Sequence, residues 1–398
     1  MNILGISGSI GWDGNIPYVL GDAGDPWIHG SGATLVMDGE LKNAINEERF
    51  SRIKYDGSYP KLVIQNILEY NKLTKHDIDL VVYVCAAPMI NFQLKMSGYI
   101  ENKLQEYFPN STVDFLPHHI AHASATFYTS GFDEANILTF DGAGDPELQE
   151  DGQWLIPHMK FLHGKDLTLS EINSYHCGVL PMHTGFGNLY NMYSAQVYKN
   201  KMNLVEDNKE LEPVNRETYP GKVMGLSAFG DYRNINLPEW FSLEREKQRY
   251  SNEEWEDCLP QLHNITLPMQ EWTALFDGTL TEIFSENHTK INPDDLAAWL
   301  QHQFEKYLLL FLSNIPSHIK HDNLCLGGGS ALNILANSKI IEEGIYKNVH
   351  VNTAPNDDGL HFGAALYKSA EKEHKITLPE DIGYLGITYT DKDIEAVL

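Results

Sequence analysis

Asn136-Ile-Leu-Thr-Phe-Asp141-Gly142 is an apolar strand that ends on a carboxylate and a glycine, and the elements around it decide the fold class. Trp154 to Leu162, a Gly164-Lys165-Asp166 turn and Leu167 to Tyr175 follow it, the pattern of a strand pair joined by a hairpin. The same order opens the chain. Asn2 to Ile6 is a short apolar run with Gly5 and Gly8, and Gly32-Ala-Thr-Leu-Val-Met37 leads through Asp38-Gly39 to Leu41 to Ile45. The first copy continues with an amphipathic helix, Lys61 to Asn71, and the strand Asp79 to Cys85. The second continues with a long helix, roughly Pro293 to Leu312, and the strand Asn323-Leu-Cys-Leu326. Two α/β units in tandem predict a duplicated, two-lobed α/β fold with ligands at the carboxyl ends of strands. The expected lobes are 1–130 and 131–398, with the last helix free to return to the first lobe. Asp231 to Asn292, rich in Trp, Glu and Asn, reads as an insertion that either shapes a pocket or elaborates the surface.

A chain of 398 residues can bury a sizeable core, and 42% hydrophobic with 11% aromatic residues excludes disorder. Lys plus Arg number 29 against 55 Asp plus Glu, a net −26 that repels nucleic acid and anionic membrane. Cys85, Cys177, Cys258 and Cys325 form no CxxC pair and read as reduced thiols. Met1 to Trp12 lacks a basic leader, and the most apolar run, Tyr307 to Leu312, is far short of the roughly 20 residues of a membrane span, so a cytoplasmic location is expected. An actin–hexokinase type of architecture fits the duplication.

Four groups of residues carry chemistry. In Pro117-His118-His119-Ile120-Ala121-His122 the proline suits a first helical turn, and His118 and His122 at i and i+4 then share one face, the spacing by which two imidazoles hold one metal. Ordinary polar surface is the competing reading. Asp141, beside Gly142 and Gly144, and the Asn356-Asp357-Asp358-Gly359 cluster supply carboxylates, against turn and capping roles for each. Two imidazoles with one or two carboxylates describe an iron, manganese or zinc site. Gly327-Gly328-Gly329-Ser330, between a strand and a predicted helix with Asn333 and Asn337, favours a nucleotide, although tight turns need glycine as well. Ser7 stands where a sugar kinase of this architecture needs a carboxylate, which disfavours kinase chemistry. His29 can take a hydroxyl proton and Lys54 can offset phosphate or carbonyl charge, against a loop histidine and a solvated charge run.

Asn46-Glu-Glu-Arg-Phe-Ser-Arg-Ile-Lys54, His118-His-Ile-Ala-His122, Leu138-Thr-Phe-Asp-Gly-Ala-Gly-Asp145, Gly221-Lys-Val-Met-Gly-Leu-Ser-Ala-Phe-Gly230, Leu326-Gly-Gly-Gly-Ser-Ala-Leu-Asn333 and Asn356-Asp-Asp-Gly359 together resemble the carbamoyltransferases of nodulation-factor and antibiotic O-carbamoylation. The resemblance implies an actin–hexokinase-like fold related to the transferase that makes threonylcarbamoyl-adenosine in tRNA. In such enzymes carbamoyl phosphate and ATP give carbamoyl adenylate, whose carbamoyl group passes to an acceptor. The resemblance makes His118, His122, Asp141 and Asp357 the metal ligands, with Fe2+ first and Mn2+ or Zn2+ next. It sets Gly142, Gly144, Gly327, Gly328, Gly329, Ser330 and Asn333 at the adenylate, and His29 and Lys54 at the reacting carbonyl. His29 lies in His-Gly-Ser-Gly where the family more often shows His-Asp-Ala-Ser.

Family members usually continue into an adenylate-forming domain, and 382–398 resembles the lead-in to it, so a separate adenylate-forming protein or domain is an expected partner. The expected reaction is carbamoyl transfer to a hydroxyl or amine of a small natural product. A tRNA threonylcarbamoyl transferase-like enzyme is an alternative, disfavoured by the acidic charge and by Gly-Ile-Ser-Gly where that family tends to carry Glu. A non-catalytic nucleotide-binding subunit is the other, disfavoured by the full ligand set. No nucleic acid or membrane partner is expected, and a homodimer is compatible with the sequence.

Overall fold

The computed structural model describes residues 1–9, 29–84, 95–148, 152, 154–178, 186–201, 219–237 and 291–397, so most of the expected insertion and Cys85 and Cys258 lie outside the described residues. Two compact units divide the chain: Met1–Asp133, Gly164–Ser170 and Val351–Leu398 form unit 1, and Glu134–His163 with Glu171–His350 form unit 2.

Unit 1 carries β1 (Asn2–Ser7), β2 (Gly32–Met37), β3 (Glu40–Asn46), β4 (Leu80–Val84) and β5 (Thr112–Phe115) in the order β3-β2-β1-β4-β5. The β1–β2 and β2–β3 pairs are antiparallel, whereas β1–β4 and β4–β5 are parallel. Asp38 and Gly39 take φ of 50° and 77°, the left-handed pair that a two-residue hairpin turn requires. Alternate residues of β1 serve two cores. Leu4 and Ile6 meet Val63, Ile64 and Ile67 of α2 (Lys61–Tyr70), with α1 (Glu48–Ser51) before it and Ile100 and Leu104 of α3 (Tyr99–Tyr107) beside it. Ile3 meets Ala121 and Ala125 of α4 (His118–Thr129) on the other face.

The helix returning from the end of the chain, Leu360–Glu373, completes that second core through Phe362, Ala364 and Ala365. It crosses α4 where both helices are nearly bare: a Cβ added at Gly363 would lie 1.9 Å from the Ala121 carbonyl oxygen. Small residues at the crossing therefore set how closely the first turns of these two helices approach.

Unit 2 carries β6 (Glu134–Phe140), β7 (Glu147–Leu148), β8 (Trp154–Lys165), β9 (Thr168–Gly178), β10 (Asn323–Gly327) and β11 (Asn348–Val351), ordered β11-β10-β6-β8-β7 with β9 on β8. As in unit 1, hairpin strands flank one side of the unit's first strand and two later strands flank the other, β10 pairing parallel to β6. Its helices are α5 (Phe186–Lys201), α6 (Tyr219–Leu226), α7 (Pro293–Ser313) and α8 (Ile334–Glu342), so the returning helix of unit 1 is α9. Pro293 opens α7, and the Asn292 side chain accepts from the Asp294 N–H as its cap.

The β8–β9 turn falls on Asp166 and Leu167, not on Gly164 to Asp166. Among the described residues no helix is long and apolar enough to cross a membrane.

Candidate metal and transfer site

The first turn of α4 and the short 3-10 turn Asp357–Gly359 that opens α9 meet inside unit 1. Pro117 adopts an extended backbone (φ −60°, ψ 140°) and starts α4, so His118 and His122 fall one above the other on one face. Their Nε2 atoms are 3.0 Å apart. Asp357 Oδ1 stands 3.6 Å from His118 Nε2 and 3.4 Å from His122 Nε2. All three residues are buried.

Tetrahedral ligands about 2.0–2.1 Å from one ion stand about 3.3 Å from each other. The three edges here, 3.0, 3.4 and 3.6 Å, bracket that spacing. Two neutral imidazoles and one carboxylate therefore fit a divalent iron, manganese or zinc ion.

His29 approaches from the β2 side, its Nε2 4.0 Å from Asp357 Oδ2. Asp358 is half-buried, and loss of hydration pushes its carboxyl above the usual range although Asn356 donates to Oδ2 at 3.0 Å. Asn46, together with Glu47 and Glu48, which read in sequence as part of a solvated charge run, supplies three clamps. Asn46 Nδ2 donates to the Asp358 carbonyl oxygen at 3.1 Å and so ties β3 to the turn that carries Asp357. The buried Glu47 carboxylate accepts from the N–H groups of Leu62 and Val63 at 2.9 and 2.8 Å and closes the start of α2. Glu48 Oε2 accepts from the Tyr55 N–H at 3.0 Å.

That last bond holds Tyr55 in the left-handed region at φ 58°, a conformation disfavoured by roughly 1–2 kcal/mol outside glycine. The Tyr55 ring bridges two expected residues. It lies edge-on to His29 with centroids 6.4 Å apart, and the exposed Lys54 places Nζ 5.0 Å from its centroid. Sequence reasoning did not reach Asn46 or Tyr55, whose partners lie in distant or strained segments. Asn46 opens the Asn46 to Lys54 motif and Tyr55 directly follows it, which is the available signal.

In unit 2, Asp141 follows β6, its N–H bonded to the His158 carbonyl oxygen at 2.9 Å and its Oδ1 accepting from Gly142 N–H at 2.7 Å. Gly144 N–H donates to the Pro157 carbonyl oxygen at 2.7 Å, and Asn188 Nδ2 donates to the Gly142 carbonyl oxygen at 2.7 Å. Gly327 ends β10. Gly328 has φ 91°, and a Cβ there would sit 2.4 Å from the Phe140 carbonyl oxygen, so strand packing alone demands a glycine. At Gly329 a Cβ would come 3.0 Å from Asp141 Oδ1, so this glycine leaves room for the carboxylate.

Ser330 lies in a 3-10 turn, Gly329–Leu332, and α8 begins only after Asn333. Asn333 caps that helix by accepting from Ala336 N–H at 3.1 Å, and its amide pairs with Gln301 in two 2.9 Å hydrogen bonds. Its side chain thus fixes the loop to α7.

A family model described as Carbamoyltransferase N-terminus matches residues 104–366, which include His118, His122, Asp141, Gly327 to Ser330 and Asp357. The chain belongs to this carbamoyltransferase family. Among its relatives, nodulation protein NolNO of Sinorhizobium fredii is 28% identical over 389 residues, covering 93% of this chain and 50% of the relative. An uncharacterized protein of Synechocystis, sll1178, is 28% identical over 417 residues, covering 94% of this chain and 61% of the relative. The carbamoyltransferase chain thus spans between 50% and 61% of the length of these relatives. A crystal structure of T. kodakarensis HypF superposes with a TM-score of 0.49 at 13% identity, over 94% of this chain and 48% of that one. His29 and Lys54 precede the matched residues.

Proposed function

We propose that this chain is the carbamoyl-transferring part of a metal-dependent carbamoyltransferase, moving a carbamoyl group from carbamoyl adenylate to a hydroxyl or amine of a small natural product. The observation that carries the reading is the buried triangle of His118 Nε2, His122 Nε2 and Asp357 Oδ1 with His29 at its edge. The common strand order of the two sheets supports an actin–hexokinase-like duplication.

An ion held by these three residues supplies Lewis-acid polarisation of a carbonyl or phosphoryl oxygen. The acceptor oxygen or nitrogen bonds to the carbamoyl carbon, the bond from that carbon to the phosphate oxygen breaks, and AMP leaves. His29 takes the acceptor proton at Nε2, and Asp357 stabilises the imidazolium that forms. Lys54 offsets negative charge on the departing phosphate, positioned by the Tyr55 ring. For unit 2, the sequence reading supports Asp141 as a further ligand and Gly327 to Ser330 as adenylate contacts. Because the relatives are longer, the proposal has the adenylate formed on a separate domain or protein.

The test uses synthetic isotope-labelled carbamoyl adenylate, the metal-loaded chain and a panel of polyhydroxyl and amino-sugar acceptors. Label should move to an acceptor with one AMP released per transfer, and His29→Ala should slow transfer about 10²–10⁴-fold at unchanged metal content. Loss of label at the rate seen without protein, with every acceptor unmodified, would overturn the reading.

A further inference from the structure

We propose that Glu134, His163 and His321 form a second divalent-metal site, of zinc type, at the opposite end of the unit 2 sheet. One donor atom from each residue falls within 4.8 Å of the other two. His163 Nε2 is 2.8 Å from Glu134 Oε1, and the His163 and His321 rings are cofacial, their centroids 4.6 Å apart and planes within 5°. Two imidazoles and a carboxylate with positions left for water are a common zinc donor set, which nickel and copper also accept. Glu134 opens β6 and Asp141 follows its far end, so seven steps of about 3.3 Å put the cluster roughly 23 Å from Asp141. The site therefore has no part in the transfer chemistry proposed above.

The frame that holds the donors argues for a built site over a chance surface grouping. Glu134 and Asn136 share β6, and Asn136 is wholly buried. Its Nδ2 donates to the Ile319 carbonyl oxygen at 2.9 Å, while Oδ1 accepts from His321 N–H at 2.8 Å and from Tyr346 O–H at 3.1 Å. Asn323 Nδ2 adds a 2.9 Å bond to the Glu134 carbonyl oxygen. The segment bearing His321 is thus locked in register with the strand bearing Glu134, and fixing ligands through their backbone is how a protein preorganises a metal site. Lys320 keeps its ammonium over the Tyr346 ring, 5.0 Å from the centroid, and 3.4 Å from the Leu312 carbonyl oxygen. The His163 and Glu134 side chains are 27% and 35% exposed, so an ion reaches them from solvent. In-plane ligation by both rings turns one of them out of the stack, which gives binding a signature in the histidine NMR resonances.

The experiment counts bound Zn2+ by equilibrium dialysis in a full chain carrying His118→Ala and His122→Ala, so the first centre makes no contribution. One ion per chain is expected. His163→Ala or His321→Ala should weaken it by at least about 100-fold, while His318→Ala, at an exposed histidine nearby, should leave it unchanged. Should the double variant fail to fold, the wild-type count is expected to fall from two to one on His321→Gln, with loss of the histidine resonance shifts. No bound Zn2+ in the double variant, retention after both substitutions, or equal loss on His318→Ala would overturn the site without touching the carbamoyl-transfer reading.

Discussion

His361 makes the stability of unit 1 depend on pH in a calculable way. It lies on α9 with only 2% of its surface exposed, Nδ1 2.7 Å from Thr34 Oγ1. Burial pushes its pKa from 6.5 down to about 3. A lowered folded-state pKa means the stabilisation is complete above pH 6.5 and is lost as pH falls, because the unfolded chain takes up a proton that the native ring refuses. At pH 5 the unfolded imidazole lies about 1.5 pH units below its midpoint, so the native state loses about 2 kcal/mol relative to pH 7. The assay is chemical denaturation of metal-free wild type and His361→Gln at both pH values. All other titrating groups are common to the two proteins, so their difference isolates the ring. We expect wild type to lose about 2 kcal/mol more than the variant, and the His361 Cε1–H resonance to stay unshifted down to pH 5. Equal losses, or a ring that titrates near pH 6.5, would refute the reasoning.

Gly363→Ala should drive α9 away from α4, since the new methyl would lie 1.9 Å from the Ala121 carbonyl oxygen; we expect a loss of about 1–3 kcal/mol or more in thermal unfolding, accompanied by weaker metal binding. Glu47→Ala strips the partners from two amide groups at the start of α2 and should destabilise by about 1–3 kcal/mol in urea titrations, with Glu47→Gln losing less. Asn46→Ala removes the tether to the Asp358 carbonyl, and metal dialysis should show about tenfold weaker binding with stability changed by no more than about 1.5 kcal/mol.

Local pattern carried the sequence reading furthest. The i and i+4 histidines after Pro117, the Asp38-Gly39 hairpin and the long helix from Pro293 are all written in adjacent residues, and the structure forms each of them. Roles set by distant partners were not legible. Nothing near Glu47 in sequence announces that its carboxylate closes a helix fifteen residues later, and nothing near Asn333 announces its pairing with Gln301. Gly164 shows how a local signal misleads. It read as a turn residue, but β8 runs through it, and a Cβ there would sit 2.7 Å from the Phe127 ring. The turn falls to Asp166, which takes φ 52° and donates its N–H to the Asp133 carbonyl oxygen at 2.8 Å. Residue type and spacing alone leave Asp357 and Asp358 as an undivided pair of carboxylates, and only the family resemblance singles out Asp357. The 3-10 turn separates them, aiming Asp357 at the two histidines and leaving Asp358 to be held by Asn356 and Asn46.

The central claim is that unit 1 holds a divalent ion on His118, His122 and Asp357, and an anomalous-difference map from crystals of the iron- or manganese-loaded chain tests it most directly. A peak is expected about 2.0–2.2 Å from both Nε2 atoms and from one Asp357 carboxylate oxygen. A map from metal-saturated crystals with no peak there, or with the ion bound by other residues, would contradict it.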